Sequence, residues 1–124
     1  MLEDRFEACI DACDACDAAC DHCVASCLRE QDPTSVTQCI RLNIDCAAIC
    51  RLTSAMLNRG SALAAEICAA CAAACEACAD ECARHDNEHR QECAAACQRC
   101  AEACQLMAFP VLQAPAAGLR PGAF

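Results

Sequence analysis

The sequence predicts an all-α protein, an up-down-up-down antiparallel four-helix bundle with a cysteine-lined core. Eighteen of the 124 residues are cysteine, and they recur every three or four residues, the spacing of side chains on one helix face. Thirty residues are alanine, the best helix former, and the chain has no Trp or Tyr for an ordinary core. Short connections between the predicted segments make consecutive helices antiparallel.

The first two helices have recognisable start and stop signals. Helix 1 is predicted from about Glu3 to about Arg29, the stretch that carries the first run of cysteines. Asp32 and Pro33 are an N-cap followed by proline at the first helical position, so helix 2 is expected to begin there. It is predicted to continue to about Asn58.

The last two helices are bounded in the same way. Gly60 is the expected stop after helix 2, and Ser61 is the expected cap of helix 3, which is predicted to end at about Arg84. The dipeptide Asp86-Asn87 supplies a cap for helix 4, which is predicted to end near Phe109 and the proline that follows it.

These elements predict one domain and a short tail. A chain of 124 residues has the length of a single domain. Residues 1–109 are expected to form the cysteine-rich four-helix bundle. Residues 110–124 contain three prolines and two glycines, and we expect them to be a non-helical C-terminal tail.

The cysteines divide among the four helices as six, three, five and four. Sixteen of them form eight Cys-x-x-x-Cys pairs, whose members lie one above the other on a helix and can hold a metal ion between two sulfurs. Asn43 stands where the helix 2 pattern would place another cysteine. The predicted metal ligands are the thiols of Cys9, Cys13, Cys16, Cys20, Cys23, Cys27, Cys39, Cys46, Cys50, Cys68, Cys71, Cys75, Cys78, Cys82, Cys93, Cys97, Cys100 and Cys104.

Charge and the N-terminus exclude several classes of partner. The net charge of −9 argues against nucleic acids and anionic membranes, which require Lys and Arg patches. No apolar run approaches the length of a transmembrane helix. The charged N-terminus lacks the apolar stretch of a signal peptide, so we expect a cytoplasmic protein whose thiols stay reduced.

Thiolates favour soft metal ions, and charge balance favours Cu(I) among them. Eighteen buried thiolates carry a charge of −18, which one Cu(I) ion per thiolate cancels. Zn(II) in separate tetrahedral sites would leave about half of that charge uncompensated. Bridged zinc clusters could hold more ions, so a zinc or other soft-metal storage protein is the alternative. Iron–sulfur clusters usually take cysteines from loops that wrap the cluster, which this helical pattern does not provide.

Other roles for the cysteines fit the pattern less well. An inert core does not explain why cysteine replaces Leu and Val so completely. Disulfides between neighbours on one helix close loops too small to stabilise the fold much. A chaperone or sensor needs one exchangeable ion, far fewer than eighteen ligands could hold. A thiol redox protein remains an alternative, which the number of copper ions bound would distinguish. The sequence contains no phosphate-binding loop and no nucleophile–base pair outside the thiols, so no enzymatic activity is expected.

With eight Cys-x-x-x-Cys pairs along four helices, the sequence resembles the bacterial copper storage proteins, specifically their cytosolic branch. The resemblance covers about residues 3–109. It implies that the core stores many Cu(I) ions, for detoxification or supply, and that the protein is a homotetramer. It also implies that metal is admitted at a histidine-bearing open end and that an asparagine interrupts the cysteine column; His85, His89 and Asn43 match these features.

The two ends of the predicted bundle differ in chemistry. One end gathers apolar residues into a plug, and the other end gathers Leu28, Val36 and the two histidines His85 and His89 at a more open mouth. His22 falls at an outward position and is expected on the surface. The predicted plug consists of Leu2, Phe6, Met56, Leu57, Leu63, Ile67, Leu106, Met107 and Phe109.

For three features, the sequence leaves two structural interpretations open. Asn43 is either an oxygen ligand or spacer between metal clusters, or a buried polar residue that fixes helix register. His85 and His89 are either ligands at the mouth or solvent-facing caps. Helix 2 also carries a wide apolar face, which suggests a subunit interface or packing against the tail. That face comprises Ile40, Leu42, Ile44, Ile49 and Leu52.

Overall fold

In the computed structural model, which describes residues 2–108, the chain forms four α-helices and one short 3-10 helix. The helices are α1 (Leu2–Leu28), α2 (Thr37–Asn58), α3 (Ala64–Ala83) and α4 (Glu88–Ala108). Helix α1 packs against α2 and α4, and α3 packs against the same two helices. The predicted antiparallel four-helix bundle is therefore confirmed. Phe109 and the predicted tail, residues 110–124, lie outside the described residues.

The start of helix 2 differs from the prediction. Asp32 does cap a helix, because its Oδ1 accepts a hydrogen bond of 3.3 Å from the backbone N–H of Thr34. That helix is a separate 3-10 turn, Pro33–Val36, and α2 begins only at Thr37. The turn lets the chain change direction before the cysteine face of α2 starts, and it brings Val36 into the core, where only 3% of its surface is exposed.

The link between α2 and α3 follows the predicted stop signal. Gly60 has φ +65°, the left-handed conformation that glycine adopts most easily at a helix C-terminus. Its N–H donates to the carbonyl of Leu57. The Ser61 side chain accepts a hydrogen bond of 3.0 Å from the backbone N–H of Leu63, so it stabilises the turn before α3 rather than the first turn of the helix itself, which begins at Ala64.

Small residues surround the core and allow the helices to approach closely. All eighteen cysteine side chains are fully buried, and alanines on α3 and α4, including Ala72 and Ala101, are almost as well buried beside them. Neutral thiols behave as small apolar side chains, so they contribute to hydrophobic packing. Within residues 2–108, no helix is both long and apolar enough to cross a membrane.

Candidate metal centre

The thiols form one continuous column along the bundle interior. Each of the eighteen cysteines is a free thiol with 0% of its surface exposed. The spacing of three or four residues, or of seven where Asn43 replaces a cysteine, turns all of them inward, as predicted. Since sulfur atoms take the place of the aliphatic groups of an ordinary bundle, the interior is chemically a stack of soft ligands.

Near the middle of the column, thiols from all four helices meet. The Sγ of Cys16 lies 3.6 Å from the Sγ of Cys46 and 3.6 Å from the Sγ of Cys97. On the far side, the Sγ of Cys46 lies 3.6 Å from the Sγ of Cys75. Four sulfurs bonded to one metal ion at about 2.3 Å would stand about 3.8 Å apart. The sulfurs are therefore already at the separation of ligands that share an ion.

Groups of four thiols overlap along the column. In each group all sulfurs lie within 4.8 Å of one another, and five groups form a series in which each shares two thiols with the next. Sulfurs that belong to two groups can bridge two ions, so the column suits metal clusters better than isolated sites. In order from one end of the column, the groups are Cys13, Cys71, Cys100 and Cys104; Cys50, Cys71, Cys75 and Cys100; Cys16, Cys46, Cys50 and Cys75; Cys16, Cys20, Cys46 and Cys97; and Cys20, Cys78, Cys93 and Cys97.

The predicted pairs are part of this network, because each of the five groups contains both members of one pair and single thiols from two other helices. In four of the eight pairs the two sulfurs lie within 4.0 Å, and contacts between helices are as short or shorter. A metal ion in one of the groups would thus be held by the two thiols of one pair together with thiols from two other helices. The four pairs are Cys16 and Cys20 at 3.9 Å, Cys71 and Cys75 at 4.0 Å, Cys93 and Cys97 at 3.9 Å, and Cys100 and Cys104 at 4.0 Å.

Contacts among the buried thiols shift their pKa values in both directions, and they lower the pKa of Cys46, Cys93 and Cys100. Contacts with neighbouring thiols and burial raise the pKa of Cys20, and the same causes raise the pKa of Cys50 and the pKa of Cys97. These thiols are neutral at physiological pH. A metal ion must displace their protons to bind, so metal affinity falls as the pH falls.

Asn43 interrupts the column and is fully buried. Its Nδ2 donates to the carbonyl of Cys39 at 2.7 Å, and it also contacts the sulfurs of Cys39 at 3.3 Å and Cys82 at 3.5 Å. On its other side, Oδ1 accepts hydrogen bonds from the thiols of Cys93 at 2.8 Å and Cys78 at 3.4 Å. The Asn43 amide therefore bridges two sets of thiols. Its nitrogen contacts Cys39 and Cys82, and its oxygen contacts Cys78 and Cys93.

The two predicted histidines lie at the same end but in different surroundings. The Nε2 of His89 contacts the Sγ of Cys27 at 3.8 Å, which places this ring against the thiol column. The Nε2 of His85, which follows the end of α3, instead contacts the carboxylate of Glu81 in the last turn of α3 at 3.0 Å. Both rings are half-buried. His22 is exposed, as predicted, and lines a shallow surface cavity together with His89.

Arg90 was not predicted as part of the site. Only 2% of its surface is exposed, and its NH2 donates to the Sγ of Cys27 at 3.4 Å. The guanidinium also pairs with Glu30 and donates to the side chain of Asn87. The sequence contained a signal for this position. Stepping back three residues from Cys93, as the alternating pattern requires, leads to Arg90.

At the opposite end, the predicted apolar plug is smaller than expected. Leu57 and Met107 are buried, whereas Leu63 and Leu106 are exposed by 56% and 40%. These two leucines flank the helix ends on outward positions, so they do not cover the column. The side chain of Leu2 and all of Phe109 lie outside the described part of the molecule. The half-buried members of the plug are Phe6, Met56 and Ile67.

A family model described as Csp, copper storage protein, matches residues 2–109 of the chain. The Cu(I)-bound copper storage protein BsCsp3 is 48% identical, with a TM-score of 0.81 over 84% of this chain and 98% of that one. Apo-Csp3 from Bacillus subtilis, also 48% identical, gives a TM-score of 0.77 over 82% and 97% of the two chains. A cytosolic copper storage protein from Streptomyces lividans, loaded with five coppers, is 38% identical, with a TM-score of 0.82 over 94% and 96%.

Replacing Asn43 with Ala should destabilise the metal-free, reduced protein. The change removes the hydrogen bonds of a fully buried amide and leaves a cavity in its place, so we expect a loss of about 2–3 kcal/mol in the free energy of unfolding. Urea denaturation followed by circular dichroism measures it. The control is Gln38→Ala, which removes an exposed amide from the same helix. Equal losses in the two variants would contradict a structural role for Asn43.

Proposed function

This chain belongs to the copper storage protein family, and we propose that its bundle, residues 1–109, stores many Cu(I) ions along the whole thiol column. The observation that carries the proposal is the continuity of the column. All eighteen free thiols are buried, and twelve of them make up the five overlapping groups that reach from Cys104 to Cys93. A protein that carries one exchangeable ion would need only a few of these thiols, whereas a storage protein uses all of them.

The charge of the core supports Cu(I) over Zn(II). Thiols must lose their protons to bind metal, and eighteen thiolates without counter-charge could not stay buried. One Cu(I) ion per thiolate leaves the core neutral. Four separate Zn(II) ions would use sixteen thiolates and supply a charge of only +8, since each takes four sulfurs. The relatives described as Cu(I)-bound and copper-loaded agree with this preference.

The proposed ligands are the eighteen thiols with auxiliary contributions from Asn43, His85 and His89. Asn43 Oδ1 faces the thiols of Cys78 and Cys93 and could ligate an ion there once their protons leave. His89 already contacts Cys27, so its imidazole can hold an incoming ion beside the outermost thiol of α1. His85 contacts the carboxylate of Glu81 and not a thiol, so it contributes less directly to copper binding than His89 does.

Storage, rather than catalysis, accounts for the site. A core filled with thiolate-bound ions offers no open coordination position to a substrate, so we propose that the protein is not an enzyme. A thiol redox protein would cycle a specific disulfide and bind few ions. The overlapping groups of four thiols favour metal clusters instead.

We place the protein in the cytoplasm as a homotetramer. The Streptomyces lividans relative is described as cytosolic, and reduced thiols are maintained in that compartment. Helix α2 supports self-association because two of its large aliphatic side chains, Ile44 and Leu52, are exposed by 51% and 49%. Fractionation of cells that express the protein checks the compartment.

The reduced monomer should bind on the order of one Cu(I) ion per thiolate, roughly 16–20 ions, because that number neutralises the core. Anaerobic titration against a competing Cu(I) chelator measures the capacity. The same titration in weakly buffered solution should release about one proton for each thiol that binds copper. Saturation below about ten ions would contradict storage, and a low capacity with a cycling disulfide would indicate a redox protein.

Removing His89 should slow copper loading without reducing capacity. The imidazole contacts the thiol of Cys27 but adds little to a column of eighteen sulfurs. We expect His89→Ala to load more slowly than His85→Ala and the double variant to be slowest, as measured by stopped-flow transfer from a Cu(I)–chelator complex. His22→Ala is the control, since this histidine is exposed on α1. If the double variant loads copper at the rate of the unmodified protein, copper does not enter beside these histidines.

A charge on the apolar face of α2 should break the tetramer. Ile44→Glu would bury a carboxylate in the proposed interface, so we expect sedimentation of a smaller species than the unmodified tetramer. Leu28→Glu is the matched control, because Leu28 is 60% exposed on a different helix. A monomeric unmodified protein, or equal behaviour of the two variants, would exclude this interface.

A further inference from the structure

The inward-facing pattern continues past the outermost cysteines at the histidine end. The next positions at the three-residue step are Glu30 after Cys27, Val36 before Cys39, His85 after Cys82 and Arg90 before Cys93. We call these four residues, Glu30, Val36, His85 and Arg90, the mouth layer. Val36 and Arg90 are buried, and Glu30 and His85 are half-buried, so this layer covers the end of the thiol column.

Arg90 is the most unusual member of the mouth layer. An arginine that is 2% exposed must have partners for its charge and for its N–H groups. Glu30 balances the charge, and the side chain of Asn87 accepts one N–H. A third partner is a cysteine, since NH2 donates to the Sγ of Cys27 at 3.4 Å. The Nε is buried and has no hydrogen-bond partner among the described residues.

The outermost thiol of α1 is therefore contacted by two consecutive residues of α4. Arg90 donates to the sulfur of Cys27, and His89 lies 3.8 Å from the same sulfur. A guanidinium and a Cu(I) ion are both positive and cannot occupy one face of a sulfur atom together. Copper that reaches Cys27 must displace the guanidinium, whereas the imidazole of His89 can remain beside the ion as a neutral ligand.

We propose that Arg90, held by Glu30, is a gate that closes the mouth of the thiol column and limits the rate at which Cu(I) passes in either direction. The proposal rests on the storage function proposed above and assigns its regulation to a residue that binds no copper. Opening breaks the hydrogen bond from Arg90 to Cys27. The Cu–S bond forms as the Cys27 thiol gives its proton to water, the guanidinium stays protonated, and copper remains Cu(I) throughout.

The variant Arg90→Met tests the gate, because Met keeps an unbranched side chain of similar reach but has no charge and no N–H donor. We expect loading from a Cu(I)–chelator complex, and removal by excess chelator, to be faster on the order of tenfold, the effect of losing one charge-assisted hydrogen bond. Capacity should stay that of the unmodified protein. Arg84→Met is the matched control, because Arg84 lies near the same end, pairs with Glu81 at 3.4 Å and is exposed.

Two further variants separate gating from a structural role. Arg90→Lys keeps the charge but loses the fork of donors, so its rates should lie between those of the unmodified protein and Arg90→Met. Glu30→Gln removes the charge that holds the guanidinium of Arg90, and it should also speed both copper loading and copper removal. A structural role would lower the melting temperature of the metal-free variants while leaving the rates unchanged.

The outcomes are distinct from those that test storage itself. Unchanged rates in Arg90→Met, with full capacity and a folded circular dichroism spectrum, would overturn the gate and leave storage intact. Slower loading in that variant would also overturn the gate, because it would show that the guanidinium attracts copper complexes instead of excluding copper. A low capacity in the unmodified protein would overturn storage, and the gate with it.

Discussion

The burial of eighteen thiols in one bundle is the constraint on which the rest of the structure depends. A buried sulfur can stay neutral by holding a proton or by binding a monovalent metal ion, but eighteen uncompensated thiolates would not remain folded. A thiol of this core therefore stays neutral with either a proton or Cu(I) bound, and copper binding releases protons. In the metal-free state, contacts between thiols and burial raise the pKa of Cys20, Cys50 and Cys97, so these three thiols stay protonated and neutral inside the column.

Close packing follows from the small residues around the column. Alanines such as Ala72 and Ala101 let the helices pack closely, and the Sγ of Cys50 on α2 lies 3.8 Å from the sulfurs of Cys75 on α3 and Cys100 on α4. Leucine at these positions would push the helices apart and separate the thiols into isolated pairs. The alanine content thus has two consequences, since it favours helix formation along the chain and sets the sulfur spacing between helices. Apo-Csp3 from Bacillus subtilis, a structural relative without copper, has a similar fold.

The bundle and the thiol column could be predicted because one repeating pattern specifies both. The three- and four-residue spacing identifies the helices and also identifies the side that faces inward. The pattern did not reveal the contacts between side chains where the ends of different helices come together. Arg90 and Glu30 lie at inward positions, but their burial depends on forming an ion pair across two elements that are far apart in the chain. Leu63 and Leu106 were predicted inside because they are apolar, yet they lie on outward positions near the helix ends.

The asymmetry of the column determines how copper can move within it. Phe6, Leu57 and Met107 at one end supply no thiol or imidazole, whereas the other end has Arg90 and His89 beside Cys27. If copper enters beside His89, as proposed above, ions destined for the deepest thiols pass from sulfur to sulfur. Successive groups of four thiols share two members, so an ion can exchange half of its ligands while the other half hold it. We infer that the overlap, which allows clusters to form, is also what lets copper reach the closed end, and Asn43 stands at the first step of that path.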